Sequence, residues 1–249
     1  MIKLFVTDLD GCISYPFKTP KWDAINKIRE LNIKSRDLSY IPPLTICTGR
    51  PHPYAEAVAQ WLDVQLPFVF ESAGLYHWNG NRVETALGSN NGALDTIREM
   101  RKWMEKDVLP EYPAANFEFS KMMDAGIVCP DKSVIDKIYE KVVQKIQTEF
   151  DDLEIHATDV SVNVLVKGNN KLQGMKLLAS SQNIALNEIA YIGDTSGDLP
   201  ALKNVRLAYS PINGRDVVKQ HSTVLKTEIT DAVLEAYQKV ILHNKNLAV

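Results

Sequence analysis

Residues 1–12 read MIKLFVTDLDGC. Ile2, Leu4, Phe5 and Val6 form a short apolar run of the kind that suits a buried strand, and the run stops at Asp8 and Asp10, followed by Gly11. In an open parallel sheet, ligands sit in the crevice beyond the carboxyl ends of the strands, so both carboxylates are expected to reach into it. Residues two apart in an extended segment point the same way, and Gly11 lets the backbone turn sharply. Two carboxylates this close repel unless a cation lies between them or one holds a proton. Oxygen ligands with no histidine or thiolate beside them suit Mg²⁺. The plainer reading is an acidic surface turn after a strand, so the rest of the chain must decide.

The chain has 249 residues, enough for one large domain or a domain with an insert. It is 45% hydrophobic and 24% charged, an ordinary balance for a globular protein. A net charge of −3 with no long Lys/Arg run leaves no electrostatic footprint for nucleic acid or an anionic membrane. No apolar stretch approaches a membrane span, and a core strand stands where a signal sequence would, so a cytoplasmic location is expected. Cys12, Cys47 and Cys129 are an odd number without CxxC spacing, which argues against a disulfide framework and a zinc site. They read as small buried hydrophobes.

Beyond the first strand, residues 20–31 carry Trp22, Ile25, Ile28 and Leu31 at helical spacing. A second apolar run, 44–47, ends in Thr48-Gly49-Arg50; a helical pattern follows over 54–62, and a third strand over 67–70 ends at Glu71-Ser72-Ala73-Gly74. Strand and helix alternate as in βαβ units. The rhythm changes after Gly80: a hairpin-like NGN turn leads to a helix over 94–108, strands over 117–119 and 126–129, a helix over 133–150 starting at a Ser cap, and strands over 153–157 and 160–166. Lys171 then opens a helix, the strand 188–192 ends in GDTSGD (193–198), short strands fall at 205–208 and 223–225, and a last helix covers 230–243. The reading is an α/β protein: a doubly wound, Rossmann-like parallel-sheet core over 1–80 and 168–249, with an inserted α+β cap over 81–167.

DLDG (8–11), TGR (48–50), Lys171 and GDTSGD (193–198), in that order, resemble the four motifs of the haloacid dehalogenase superfamily. The insert resembles the α/β cap of its Cof-type and sucrose-phosphate phosphatase subgroup. The resemblance spans essentially the whole chain. It implies that Asp8 is a nucleophile taking a phosphoryl group as an aspartyl-phosphate, and that Asp10 is the general acid and then base. A carboxylate at the second of these positions is associated with phosphatases, whereas haloacid dehalogenases lack it. The resemblance further implies Mg²⁺ on the side chains of Asp8 and Asp194 and the backbone carbonyl of Asp10. Thr48, Gly49 and Lys171 would bind the transferring phosphate, and Asp198 would orient Lys171 or a metal-bound water. Gly197 departs from the Asn that many relatives carry before the last aspartate.

Several residues admit two readings. Arg50 either supports the site or bonds neighbouring loops, and Glu71 and Ser72 either contact substrate or cap a loop. The five histidines show no ligand spacing; Trp22, Trp61 and Trp103 read as core, with Trp78 the one tryptophan left open to sugar stacking. Asp159, Ser161 and Asn163 share one face of a predicted cap strand, where they either meet a hydroxyl-rich substrate or face solvent. The expected function is Mg²⁺-dependent hydrolysis of a small phosphorylated metabolite, a sugar phosphate ahead of others, with the cap setting specificity. The alternatives are a phosphomutase using the same aspartyl-phosphate, and a non-hydrolytic phospho-acceptor or phosphate-binding protein. The particular metabolite and the oligomeric state do not follow from the sequence.

Overall fold

The computed structural model describes residues 1–15, 18–86, 92–157 and 160–247. Its packing divides the chain into two compact units, one formed by Met1–Ala86 with Asn170–Val249 and the other by Leu87–Asn169.

In the first unit the opening apolar run forms β1 (Leu4–Thr7), buried along its whole length. β2 (Leu44–Ile46) and β10 (Ile189–Ile192) flank it in parallel, and β11 (Leu207–Ser210) and β12 (Thr223–Val224) extend the sheet in the order β12-β11-β10-β1-β2. Thr7 pairs with both Ile46 and Ile192, so three strands end level with one another. Asp8, Cys47-Thr48 and Gly193-Asp194 therefore all emerge at one edge. That level edge places the candidate site.

Both faces of this sheet are covered, as doubly wound architecture requires. Leu4, Val6, Ile189 and Tyr191 pack on one side with Met175 and Leu178 of α5 (Lys171–Ser181) and with Ala201 and Leu202 of α6 (Leu199–Leu202). On the other side Phe5 stacks on Tyr237 of α8 (Ile229–Leu247), with ring centroids 4.8 Å apart. α8 also ties the N-terminus down: buried Asn244 accepts from the Ile2 amide at 2.7 Å and donates to the Ile2 carbonyl at 2.8 Å. The unit is completed by α1 (Trp22–Lys34), α2 (His52–Trp61), α7 (Asp216–Lys219) and an antiparallel sheet of β3 (Phe68–Phe70), β4 (Gly74–His77) and β5 (Arg82–Thr85). β5 belongs to this unit because it pairs along its length with β4.

The second unit is a four-stranded antiparallel sheet, β6 (Asn116–Phe117), β7 (Asp124–Val128), β8 (Leu153–Ala157) and β9 (Ser161–Val166), in the order β6-β7-β9-β8. Ala125, Ile127, Val162 and Val164 share a core with Ile97 and Met100 of α3 (Gly92–Trp103) and with Ile135, Ile138 and Val142 of α4 (Lys132–Glu149). A π-helical segment, Met104–Val108, prolongs α3 and buries Met104 and Val108. Among the described residues no helix is long and apolar enough to cross a membrane.

Several expectations are corrected in detail. Asp131, not Ser133, caps α4, accepting from the Ser133 amide at 2.8 Å. β11 starts at Leu207, where its ladder with β10 begins, and not at Val205. β6 ends at Phe117, and Phe119 is exposed. Trp22 and Trp61 are not core: they lie 45% and 36% exposed, in edge contact with each other.

Candidate active site

The site is assembled from four turns at the level edge of the parallel sheet. In the first, the Leu9 carbonyl accepts from the amides of Cys12, Ile13 and Ser14, folding the chain back at once after β1. Gly11 sits at φ +70°, and a Cβ built there would fall 2.0 Å from Asp194 Oδ2. Only glycine permits this approach of the first turn to the fourth. Asn213 donates to the Gly11 carbonyl at 2.9 Å, pinning the same turn from the loop after β11.

In the second turn Thr48 is buried, and its hydroxyl accepts from the Arg50 amide at 3.1 Å. Glu71 and Ser72 both have positive φ, a conformation that turns their amides onto the carbonyls of Arg50 and Thr48, each at 2.9 Å. The backbone of this pair thus fixes the Thr48–Arg50 loop. The side chain of Arg50 forms a two-point fork on Asp10: Nε donates to Oδ2 at 2.6 Å and Nη2 to Oδ1 at 3.0 Å.

The third turn delivers Lys171. Asn170 caps α5 by accepting from the amides of Leu172 and Gln173, and Gly174 lets the helix approach so closely that a Cβ would meet the Ser72 carbonyl at 2.3 Å. Lys171 Nζ, almost fully buried, lies 2.9 Å from Asp8 Oδ2 and 2.5 Å from Asp198 Oδ1. The fourth turn, after β10, holds Asp198 wholly buried. Its Oδ1 also accepts from the Tyr191 hydroxyl at 2.5 Å, and its Oδ2 from the amides of Asp194 and Thr195 and the Thr195 hydroxyl. A Cβ on Gly193 would strike Asp198, so this residue too must be small.

These contacts sort the carboxylates. Burial would raise Asp198, but Lys171 and its hydrogen-bond donors hold it below the usual range, as a saturated anion. Burial would lower Lys171, yet Asp198 and Asp8 hold it well above its ordinary value, so it stays a cation. Asp8 goes the other way: burial, opposed by Lys171 and reinforced by Asp198 and Asp194, pushes it up to about 8. Asp194 is raised to about 7, first by burial and then by Asp198. One ammonium cannot compensate three crowded carboxyls. Oxygens of Asp8, Asp194 and Asp198 lie within 4.8 Å of one another, and buried Asp194 Oδ1 has no hydrogen-bond partner among the described residues. A hard, oxygen-only donor set with an unsatisfied buried acceptor fits a Mg²⁺-sized cation. Asp198 is a poor ligand despite its proximity, because both its oxygens are already engaged. The Asp10 side chain lies outside this cluster, on Arg50, which leaves its backbone carbonyl as its route to a cation.

Asp8, Asp10, Thr48, Gly49, Arg50, Lys171, Asp194 and Asp198 thus belong to one edge of one unit. Ser161 and Asn163 lie on β9 of the other unit, on the strand face opposite Val162 and Val164, and the Asn163 amide donates to the Ser161 hydroxyl at 3.1 Å. Asp159 lies outside the described residues. Cys12 and Cys47 are buried beside the site as neutral thiols, held up by burial. Sequence reasoning missed Tyr191, Asn213 and the Arg50–Asp10 fork. Tyr191 left a trace, since a tyrosine within an otherwise aliphatic buried strand needs a polar partner for its hydroxyl.

The family model described as haloacid dehalogenase-like hydrolase matches residues 86–236. Two proteins named phosphoglycolate phosphatase, from Methanococcoides burtonii and Methanobrevibacter smithii, are each 23% identical to the chain, covering 96% and 97% of it and 96% and 99% of their own lengths. Thermoplasma acidophilum 0175 superposes with a TM-score of 0.73 at 18% identity, over 97% of this chain and 99% of that one. A HAD/COF-like hydrolase from Plasmodium vivax gives 0.72 at 21% identity, covering 97% and 96%. The sucrose-phosphatase of Synechocystis, solved with sucrose and phosphate, gives 0.67 at 14% identity, covering 96% and 98%.

Proposed function

The chain belongs to the haloacid dehalogenase-like hydrolases, and on that premise we propose that it is a Mg²⁺-dependent phosphatase of a small phosphorylated metabolite. The observation that carries the reading is the convergence of Asp8, Lys171 and Asp194 beside Asp10 at the level ends of β1, β2 and β10. Asp8 attacks phosphorus, the bond from phosphorus to the leaving alcohol breaks, and Asp10 gives that alcohol its proton. Asp10 then takes a proton from water, whose oxygen attacks the aspartyl-phosphate and frees phosphate and Asp8. Thr48 and the Gly49 turn hold transferring oxygens, and Lys171, fixed by Asp198 at 2.5 Å, faces them with a permanent positive charge.

Mg²⁺ would be held by the side chains of Asp8 and Asp194 and the carbonyl of Asp10, and when bound it supplies the charge that lets a phosphate dianion approach an ionised Asp8. Sugar phosphates and 2-phosphoglycolate are the leading substrate classes, in line with the motifs and with the names of the relatives. We assign a part in selecting among substrates to the inserted unit, with Ser161 and Asn163 as its first candidates. Three buried, unpaired cysteines accord with a reducing compartment such as the cytoplasm.

The test is phosphate release from a panel of sugar phosphates, phosphoglycolate, phosphoglycerates and nucleotides, each with Mg²⁺ and with excess chelator. Metal-dependent turnover that disappears in Asp8→Asn is the expected result. Turnover retained in Asp8→Asn refutes the nucleophile assignment, and a chain phosphorylated once without release refutes hydrolysis.

A further inference from the structure

As a general acid Asp10 must carry a proton, and a protonated carboxyl cannot keep both arms of a fork with a donor-only guanidinium, so the Arg50 contact weakens when Asp10 is loaded. The Arg50 and Asp10 side chains are 26% and 35% exposed, so a guanidinium turning away from Asp10 is received either by water or, at greater gain, by a second anion. Arg50 is placed to find one. Its guanidinium lies against the Tyr54 ring, 5.1 Å from the centroid, and Tyr54 is steadied by a hydroxyl contact with Ser14 at 3.3 Å. Arg50 and Tyr54 line a cleft of about 370 Å³ together with Ser14, Tyr15, Lys18 and Trp61.

The chemistry of that cleft is specific. Its lining includes two cations, Arg50 and Lys18, and no acidic side chain among the described residues. Both cations stand over aromatic rings, Arg50 over Tyr54 and Lys18 over Tyr15 at 5.3 Å, while Trp61, in edge contact with Trp22, offers a ring on which a sugar can stack. Its volume lies within the range of roughly 300–1,000 Å³ usual for small-molecule sites. The exposure of Trp61, unexpected for a core residue, has a use here. We propose that this cleft seats a ring-bearing leaving group carrying a second anionic group, carboxylate or phosphate, which Arg50 and Lys18 bind as Arg50 releases Asp10. The inference rests on the phosphatase reading and names the substrate class it prefers.

The experiment compares kcat and KM for a hexose monophosphate, a hexose bisphosphate and a phosphorylated sugar acid, using the full-length protein with Mg²⁺. The bisphosphate and the sugar acid are expected to exceed the monophosphate by about tenfold or more in kcat/KM, the scale of a charge-assisted hydrogen bond. Lys18→Gln narrows that ratio through KM, and Arg50→Lys narrows it too, because an ammonium offers the second anion a point charge in place of a planar two-point fork. The relative rates on bisphosphate and sugar acid tell which anion is read. Equal rates on all three substrates, or a preference that survives both substitutions, overturns the proposal while leaving the phosphatase reading intact. If no substrate is turned over, tryptophan fluorescence with the same ligands decides: a titration lost in Trp61→Phe and weakened in Lys18→Gln upholds the cleft without the phosphatase reading, and no titration overturns it.

Discussion

Replacing Gly11 by alanine tests the claim that Asp194 is positioned as a cation ligand by the closeness of the first turn. The substitution has two separable costs. An L-residue at φ +70° lies in the left-handed region, which costs roughly 1–2 kcal/mol. The new Cβ would also fall 2.0 Å from Asp194 Oδ2 and 2.5 Å from its Cγ, so the carboxylate must swing away. Gly80 supplies the control, because at φ +77° it carries the same backbone cost with nothing within 4 Å of the added Cβ. Gly80→Ala should lose roughly 1–2 kcal/mol in urea unfolding and keep its Mg²⁺ dependence. Gly11→Ala should lose at least as much stability and, in addition, need about 10–100 times more Mg²⁺ for half-maximal phosphate release, the range seen when a ligand's supporting contacts are removed. A folded Gly11→Ala protein with the unaltered Mg²⁺ requirement would refute the placement of Asp194.

Cation binding should compete with protons. Asp8 and Asp194 are pushed up to about 8 and about 7, so between ordinary carboxyl values and pH 8 the folded protein holds protons that the unfolded chain does not, and its stability falls as pH rises. The gain in melting temperature from Mg²⁺ over chelator should therefore grow from pH 5.5 to 8, and a gain that shrank would contradict the crowded-carboxyl account. Tyr191→Phe removes one donor to Asp198 while leaving the ring packed; a loss of about 1.5–3 kcal/mol in urea unfolding is expected, and no loss would mean that the remaining donors suffice. Asp198→Asn leaves Lys171 with Asp8 as its one carboxylate partner of the present two, so kcat should fall more than KM rises in phosphate-release kinetics.

Local pattern made part of this molecule legible in its sequence. β1 and the turn after it stood out because an apolar run that ends in two carboxylates and a glycine fits a buried strand and a sharp turn far better than it fits a helix. The loop 48–50, Lys171 and 193–198 followed from their positions at strand ends or helix starts, and the structure gathers them at one edge. Trp22 and Trp61 were misjudged because helical spacing identifies a face without saying what covers it; here they meet each other, and Trp61 stands at the rim of a cleft. The Arg50–Asp10 fork joins residues 40 apart and depends on how two turns meet, which no local pattern encodes. Asp198 was expected to orient Lys171 or a metal-bound water; its contact with Lys171 is present, and Tyr191 and Thr195 engage the same carboxylate through bonds that the sequence did not suggest.

The central place of β1 between β2 and β10 also has a consequence in time. A ribosome delivers Ile46 long before Ile189, and at cellular synthesis rates the interval is on the order of ten seconds. Throughout it, β1 can pair on one side only, and its other edge presents unpaired backbone groups along one of the most apolar segments of the chain. The inserted unit, Leu87–Asn169, is synthesised within that interval. A nascent chain arrested there carries Asp8 and Thr48 without Lys171 or Asp194, an open strand edge in place of a completed site.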